Sequence, residues 1–105
     1  MPCVYLNYFI RQANKLTEKI EKRKTELTTE IVEGKSGDGL VVVTANGAQE
    51  IKSIKVDPKV IDPSDPGMLE DLLVAAVNSA ITASKDHMAK ELGKVSGGIK
   101  IPGVT

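Results

Sequence analysis

The chain has 105 residues, 41% apolar and 27% charged, with no net charge. That suffices for one globular domain but not for two independent cores, and it excludes a uniformly basic nucleic-acid coat and a fully disordered chain. The longest stretch without a charged residue, Leu72 to Ser84, has thirteen residues, well short of the ~20 a membrane span needs. Val4 to Ile10 lacks a basic lead and is followed by Arg11-Gln12, so it does not read as a secretory leader. The lone Cys3 excludes an internal disulfide and a cysteine-based zinc site; a reducing cytoplasm is the natural setting.

Charge is unevenly spread. Residues 1–25 carry six basic and two acidic residues, net +4, and residues 26–105 carry net −4. One end of the chain is electrostatically distinct.

In chain order, Tyr5 to Leu27 has no Gly or Pro and reads as a helix. Tyr5, Phe9, Ala13, Leu16, Ile20 and Leu27 fall in a sector of about 80°, a narrow seam interrupted at its edge by Arg23. Arg11, Lys15 and Lys22 share another side, with Lys19 further round; Glu18 and Glu26 lie in that sector, and a Glu18–Lys22 pair is expected. Thr28 to Gly34 reads as a strand and Gly37-Asp38-Gly39 as a turn. Leu40 to Ala45 reads as a second strand, Asn46-Gly47 as a tight hairpin turn and Gln49 to Val56 as the return strand. The middle strand is apolar on both faces. One helix covers only one face of such a sheet, so the other needs a cover too, and a second copy of the chain is a candidate.

Asp62-Pro63-Ser64-Asp65-Pro66 offers two successive cap-and-proline helix starts. The last helix is expected to run to Leu92 and stop at Gly93, with a mobile tail after it. The reading is α+β, in the order α-β-β-β-α, with a small antiparallel three-stranded sheet. Residues 1–98 form the domain and 99–105 the tail. A helix of about 23 residues is about 34 Å long, against about 20 Å for the strands, so about a third of it should project beyond the sheet.

No catalytic constellation emerges. His87 has Asp86 beside it, but adjacent helix positions do not face each other, and Cys3 is read as incidental. Asp57, Asp62, Asp65, Glu70 and Asp71 lack the spacing of a calcium loop and are read as caps and turns. No enzyme activity, metal, cofactor or small-molecule substrate is expected. The basic ridge of the first helix is the remaining functional feature.

Four segments in order carry a resemblance: Asn7 to Leu16 (NYFIRQANKL), Gly39 to Gly47 (GLVVVTANG), Ile54 to Pro58 (IKVDP) and Met68 to Ala80 (MLEDLLVAAVNSA). Together they resemble the YbaB/EbfC family of small bacterial nucleoid-associated DNA-binding proteins, over roughly Asn7 to Gly98. The resemblance implies a tweezers-shaped homodimer with helical arms projecting from a joined body. It also implies binding to double-stranded DNA with weak or variable sequence preference, and a role in nucleoid organisation and gene regulation. Basic residues of the first helix are implicated in DNA contact, and the matching positions here are Arg11, Lys15, Lys19, Lys22 and Arg23. The uncharged face of the last helix, at Leu72, Leu73, Ala76, Val77, Ala80 and Ile81, is the expected dimer interface. The alternative reading is a dimeric scaffold whose arms grip a protein partner.

Overall fold

The structure is a computed structural model and describes residues 2–95, with side chains from Leu6 onward. The expected tail at 99–105 lies outside the described residues. The element order is α1 (Pro2–Leu27), β1 (Ile31–Ser36), β2 (Val41–Asn46), β3 (Ile51–Val56) and α2 (Pro66–Val95), with short 3-10 turns at Gly37–Gly39 and Pro58–Val60. The strands form an antiparallel sheet in the order β1-β2-β3, so the α-β-β-β-α, α+β reading holds.

The first strand begins later than its composition suggests. Thr28 and Thr29 finish α1 instead of starting β1: their hydroxyls donate to the carbonyls of Thr25 (2.6 Å) and Glu26 (2.8 Å). A helix end leaves such carbonyls without partners, and two threonines in sequence satisfy them.

The hairpin between β2 and β3 also differs from the two-residue turn expected at Asn46-Gly47. The loop is Gly47-Ala48-Gln49, and the left-handed residue is Gln49, at φ 65°. Asn46 organises the loop, its Oδ1 accepting from Ala48 N–H (2.9 Å) and Glu50 N–H (3.0 Å). Gly47 is required for a different reason: a Cβ there would lie 2.9 Å from both the Cβ and the carbonyl oxygen of Leu27, where the hairpin abuts the end of α1.

Of the two expected helix starts, only the second is used. Asp65 Oδ1 accepts from Met68 N–H (3.3 Å) ahead of Pro66, whereas Asp62 closes a turn on Ser64 (2.9 Å). The helix then passes through Gly93 to Val95. Leu92 is fully buried and Glu91 is paired with Lys94 (2.8 Å); tertiary packing outweighs the cost of about 1 kcal/mol for a helical glycine.

Helix α2 lies across β1 and β2. The approach is closest at Gly34, where a Cβ would fall 2.2 Å from Ala80 N and 2.5 Å from Ala76 O. Around this point Val41, Val43, Ala45, Val60, Ala76 and Ala80 form the buried core. Register places Val43 between Gly34 and Ile54, so Ile54 shares the α2 face, yet it is 47% exposed. The far face carries Ile31, Glu33, Lys35, Thr44, Ser53 and Lys55, with Val42 half-buried among them. Apart from Ile31, 55% exposed, and Val42, this second face is polar and offers a cover little apolar surface to bury. The main uncovered apolar surface lies on the α2 side, above β3.

Helix α1 does not lie on the sheet, as the length argument assumed, because α2 occupies that face. It packs instead antiparallel to the end of α2, with Arg23 beside Glu91 and Glu30, just past α1, beside His87. The Cα atoms extend 76 × 20 × 17 Å, and α1 with the last turns of α2 forms an arm.

Replacing Gly34 with Ala is expected to destabilise the fold by about 3 kcal/mol or more, since the obstructing atoms are backbone and cannot rotate away. A urea titration followed by circular dichroism measures this; an unchanged midpoint would show that helix and strand can separate freely.

Candidate nucleic-acid interface

The arm has two unlike sides. On the side facing α2, Leu16 and Ile20 are half-buried and Leu27 is fully buried. Beyond them, every residue from Leu6 to Lys15 is exposed.

Arg11, Lys15, Lys19 and Lys22 are all exposed and lie four, four and three residues apart. This spacing keeps them along one side of the helix over about 17 Å. Among the described residues none of the four has a carboxylate within ion-pairing distance. The expected Glu18–Lys22 pair does not form. The ridge is thus a line of exposed cations, with Glu18 on the same side but bonded to none of them, and it is open to an anion.

The structure takes Arg23 elsewhere. Its side chain is 20% exposed, and its guanidinium bridges Glu30 (2.5 Å) and Glu91 (2.5 Å). Glu30 also meets His87 Nε2 at 2.7 Å, and Glu91 meets Lys94. Sequence reasoning placed Arg23 with the DNA-contacting residues; the fold uses it to clamp the arm's root. Its partners lie seven and 68 residues away, so no local spacing announces them. The position on the seam edge was the available signal.

These contacts shift the titrations. Hydrogen bonding to Glu30 and then Glu91 raises the Arg23 pKa above its ordinary value. The Glu30 carboxyl is lowered, mainly by Arg23 and then by His87. Glu91 is lowered from 4.5 to about 2, by Lys94 first and Arg23 second.

The expected interface residues of α2 divide as well. Ala76 and Ala80 are buried within the chain itself, beneath β1, and have no surface left for a partner. Leu72, Leu73, Val77 and Ile81 are half-buried. Leu73 and Val77 join Val74, Asn78 and Ile54 in lining an open cleft of about 310 Å³. Ile54 and Val74 were missed from the sequence. A bulge opposite Thr44 and Ala45 makes Ser53 and Ile51 the successive partners. It puts Ile51 and Ile54, three residues apart, on one face and breaks the period of two.

The loop carboxylates have local duties: Asp57 accepts from Lys59 N–H (2.9 Å), while Asp62 and Asp65 close the turn and cap described above. No metal-holding cluster occurs among the described residues.

Because Glu91 has a lower pKa folded than unfolded, its stabilisation is complete above about pH 4.5 and disappears as pH falls toward about 2. Glu30 acts in the same direction. Thermal melts should therefore show a Tm that falls through this acid window. Glu91→Gln should lower Tm at neutral pH and flatten the acid dependence; a Glu91→Gln curve parallel to wild type would show that the clamp adds nothing.

The sequence model of the YbaB/EbfC DNA-binding family matches residues 5–99. A nucleoid-associated protein of Myxococcus xanthus is 66% identical over 105 residues, covering 100% of both chains. One from Syntrophobacter fumaroxidans is 44% identical over 90% of this chain and 86% of its own. Among solved structures, the uncharacterized protein HP0035 from Helicobacter pylori superposes with a TM-score of 0.74 at 19% identity, covering 85% of this chain and 94% of that one; this likeness supports the fold. With the family matched across nearly the whole chain and a full-length relative at 66% identity, this protein belongs to the YbaB/EbfC DNA-binding family.

Proposed function

We propose that the protein is a homodimeric, nucleoid-associated protein that grips double-stranded DNA through phosphate contacts from its arms, acting in nucleoid organisation and gene regulation. The observation that carries this reading is the ridge of Arg11, Lys15, Lys19 and Lys22, exposed and without carboxylate partners among the described residues. Arg23, held at the arm's root, orients the ridge rather than contacting phosphate. Dimerisation is supported by the cleft at Ile54, Leu73, Val74 and Val77, an apolar surface that a second copy would remove from water. Such a protein works in the cytoplasm, on the nucleoid; no described helix is long and apolar enough to cross a membrane.

Phosphate contacts position a protein without reading sequence, so discrimination among unrelated duplexes should be modest and shape-driven. With three or four cations engaged per arm, a dimer releases about six to eight counterions, and log affinity should fall with log salt at a slope of about −5 to −7. Arg11→Glu, Lys15→Glu and Lys22→Glu together should abolish gel shifts yet leave the oligomeric state intact. Reversal of Lys52, Lys55 and Lys59 together is the control and should matter less. If the control abolishes binding and the arm triple spares it, the DNA surface is on the sheet. If wild type shifts no duplex at low salt, the arms grip a protein instead.

The dimer is tested separately. Val77→Asp would bury an unpaired charge at a cost of several kcal/mol and should dissociate the protein in sedimentation. A folded wild-type monomer at micromolar concentration would overturn the dimer.

A further inference from the structure

The distal end of the arm presents large apolar side chains to water. Leu6, Tyr8, Phe9 and Ile10 are 48–65% exposed. Phe9 lies on the seam side, beyond the described turns of α2, which run to Val95. Tyr8 does not. At 100° per residue it falls on the ridge of Arg11, Lys15, Lys19 and Lys22, three residues before Arg11. Packing along the seam therefore cannot account for Tyr8. Its ring meets Phe9 edge-on, centroids 5.8 Å apart at 75°, a favoured aromatic arrangement. No acidic residue precedes Glu18, so the aromatic pair sits in an entirely non-acidic segment. The distance from Tyr8 to Lys22 is about 21 Å, a linear cationic track continued by an aromatic pair less than two turns from the start of α1.

The geometry points to Tyr8, backed by Phe9, as a wedge that contacts the bases of duplex DNA when Arg11 and Lys15 engage the adjoining phosphates, partly unstacking one base step and bending the duplex. This rests on the DNA reading above and extends it. Apolar side chains inserted at a base step are an established way to kink DNA, and pyrimidine–purine steps yield most easily. Charge complementarity along the ridge is what selects a polyanion as the occupant, and the straight run of cations fits the phosphate backbone of a rod-shaped duplex with Tyr8 and Phe9 against it.

The test uses full-length protein and a short duplex with 2-aminopurine at a central TA step and a fluorophore pair at its ends. Wild type should raise the 2-aminopurine signal and bring the ends closer. Tyr8→Ala with Phe9→Ala should give neither signal and bind about tenfold more weakly, with an unchanged salt slope, because no cation is lost. Tyr8→Gln with Phe9→Gln, which retains helix propensity, should behave alike, and Tyr8→Phe should restore unstacking. A double variant that still unstacks and bends the duplex overturns the wedge while leaving DNA binding standing. So does one that falls to monomer in sedimentation, since the rings would then join arms. A variant that loses only binding to phosphatidylglycerol vesicles, with bending intact, assigns the tip to a membrane surface and overturns the wedge too. Wild type that shifts no duplex at low salt fails the underlying DNA reading, a result distinct from all of these.

Discussion

The close approach of α2 to β1 at Gly34 determines where everything else lies. With no side chain at that position, Ala76 and Ala80 can rest on the strand backbone. The helix is drawn over β1 and β2 and away from β3, which leaves Ile54 beside an open cleft. It also fixes the line along which α2 leaves the sheet. At 30 residues the helix is about 45 Å long, more than twice the length of the strands, so its last turns overhang. Those overhanging turns are the surface on which α1 packs.

The arm's root shows what a polar substitution in a seam can do. Where a continuous apolar seam would continue, Arg23 reaches across to Glu91 and back to Glu30, and His87 completes the group. Ion pairs of this kind add little when freely solvated. They are directional, however, and a planar guanidinium shared between two carboxylates restricts how one helix can rotate on the other. The four-cation ridge is therefore presented at a defined angle to the body. An apolar seam would hold the helices together while allowing more sliding.

Most of the fold was legible because its elements are marked locally: the Gly-Asp-Gly turn, the β-branched run of β2, and Asp65-Pro66 before a long periodic helix. What failed was what depends on distant contacts. Thr28 and Thr29 have strand propensity, but the helix end claims their hydroxyls. Gly93 looks like a stop signal, but Leu92 is buried and carries the helix past it. Asn46-Gly47 looks like a two-residue turn, but Gly47 is small to admit Leu27, and the loop closes one residue later. The same division holds for the candidate site. The line and exposure of the ridge follow from helical spacing alone, although the Glu18–Lys22 pair that the spacing suggests does not form. The displacement of Arg23, the burial of Ala76 and Ala80, and the cleft at Ile54 each depend on a partner from another element or on a bulge, and spacing contains neither.

A chain with no net charge is at first sight a poor ligand for a polyanion. The fold resolves this in part by separation: Glu18, Glu21 and Glu26 share α1 with the ridge, but the first seventeen residues hold no carboxylate. Five acidic residues, Asp57, Asp62, Asp65, Glu70 and Asp71, gather near the start of α2, whereas the ridge runs from beside its last turns, at Lys22, outward to Arg11. From Glu70 to Glu91 the helix alone spans about 32 Å, roughly four Debye lengths at physiological ionic strength. At that range the acidic end does not weaken the field around Arg11 and Lys15. It does act on DNA that approaches the body directly, and repels it. In the proposed complex such a charge dipole orients the protein before contact: the arms lead, the body trails, and the phosphates meet the cationic track from the tip inward.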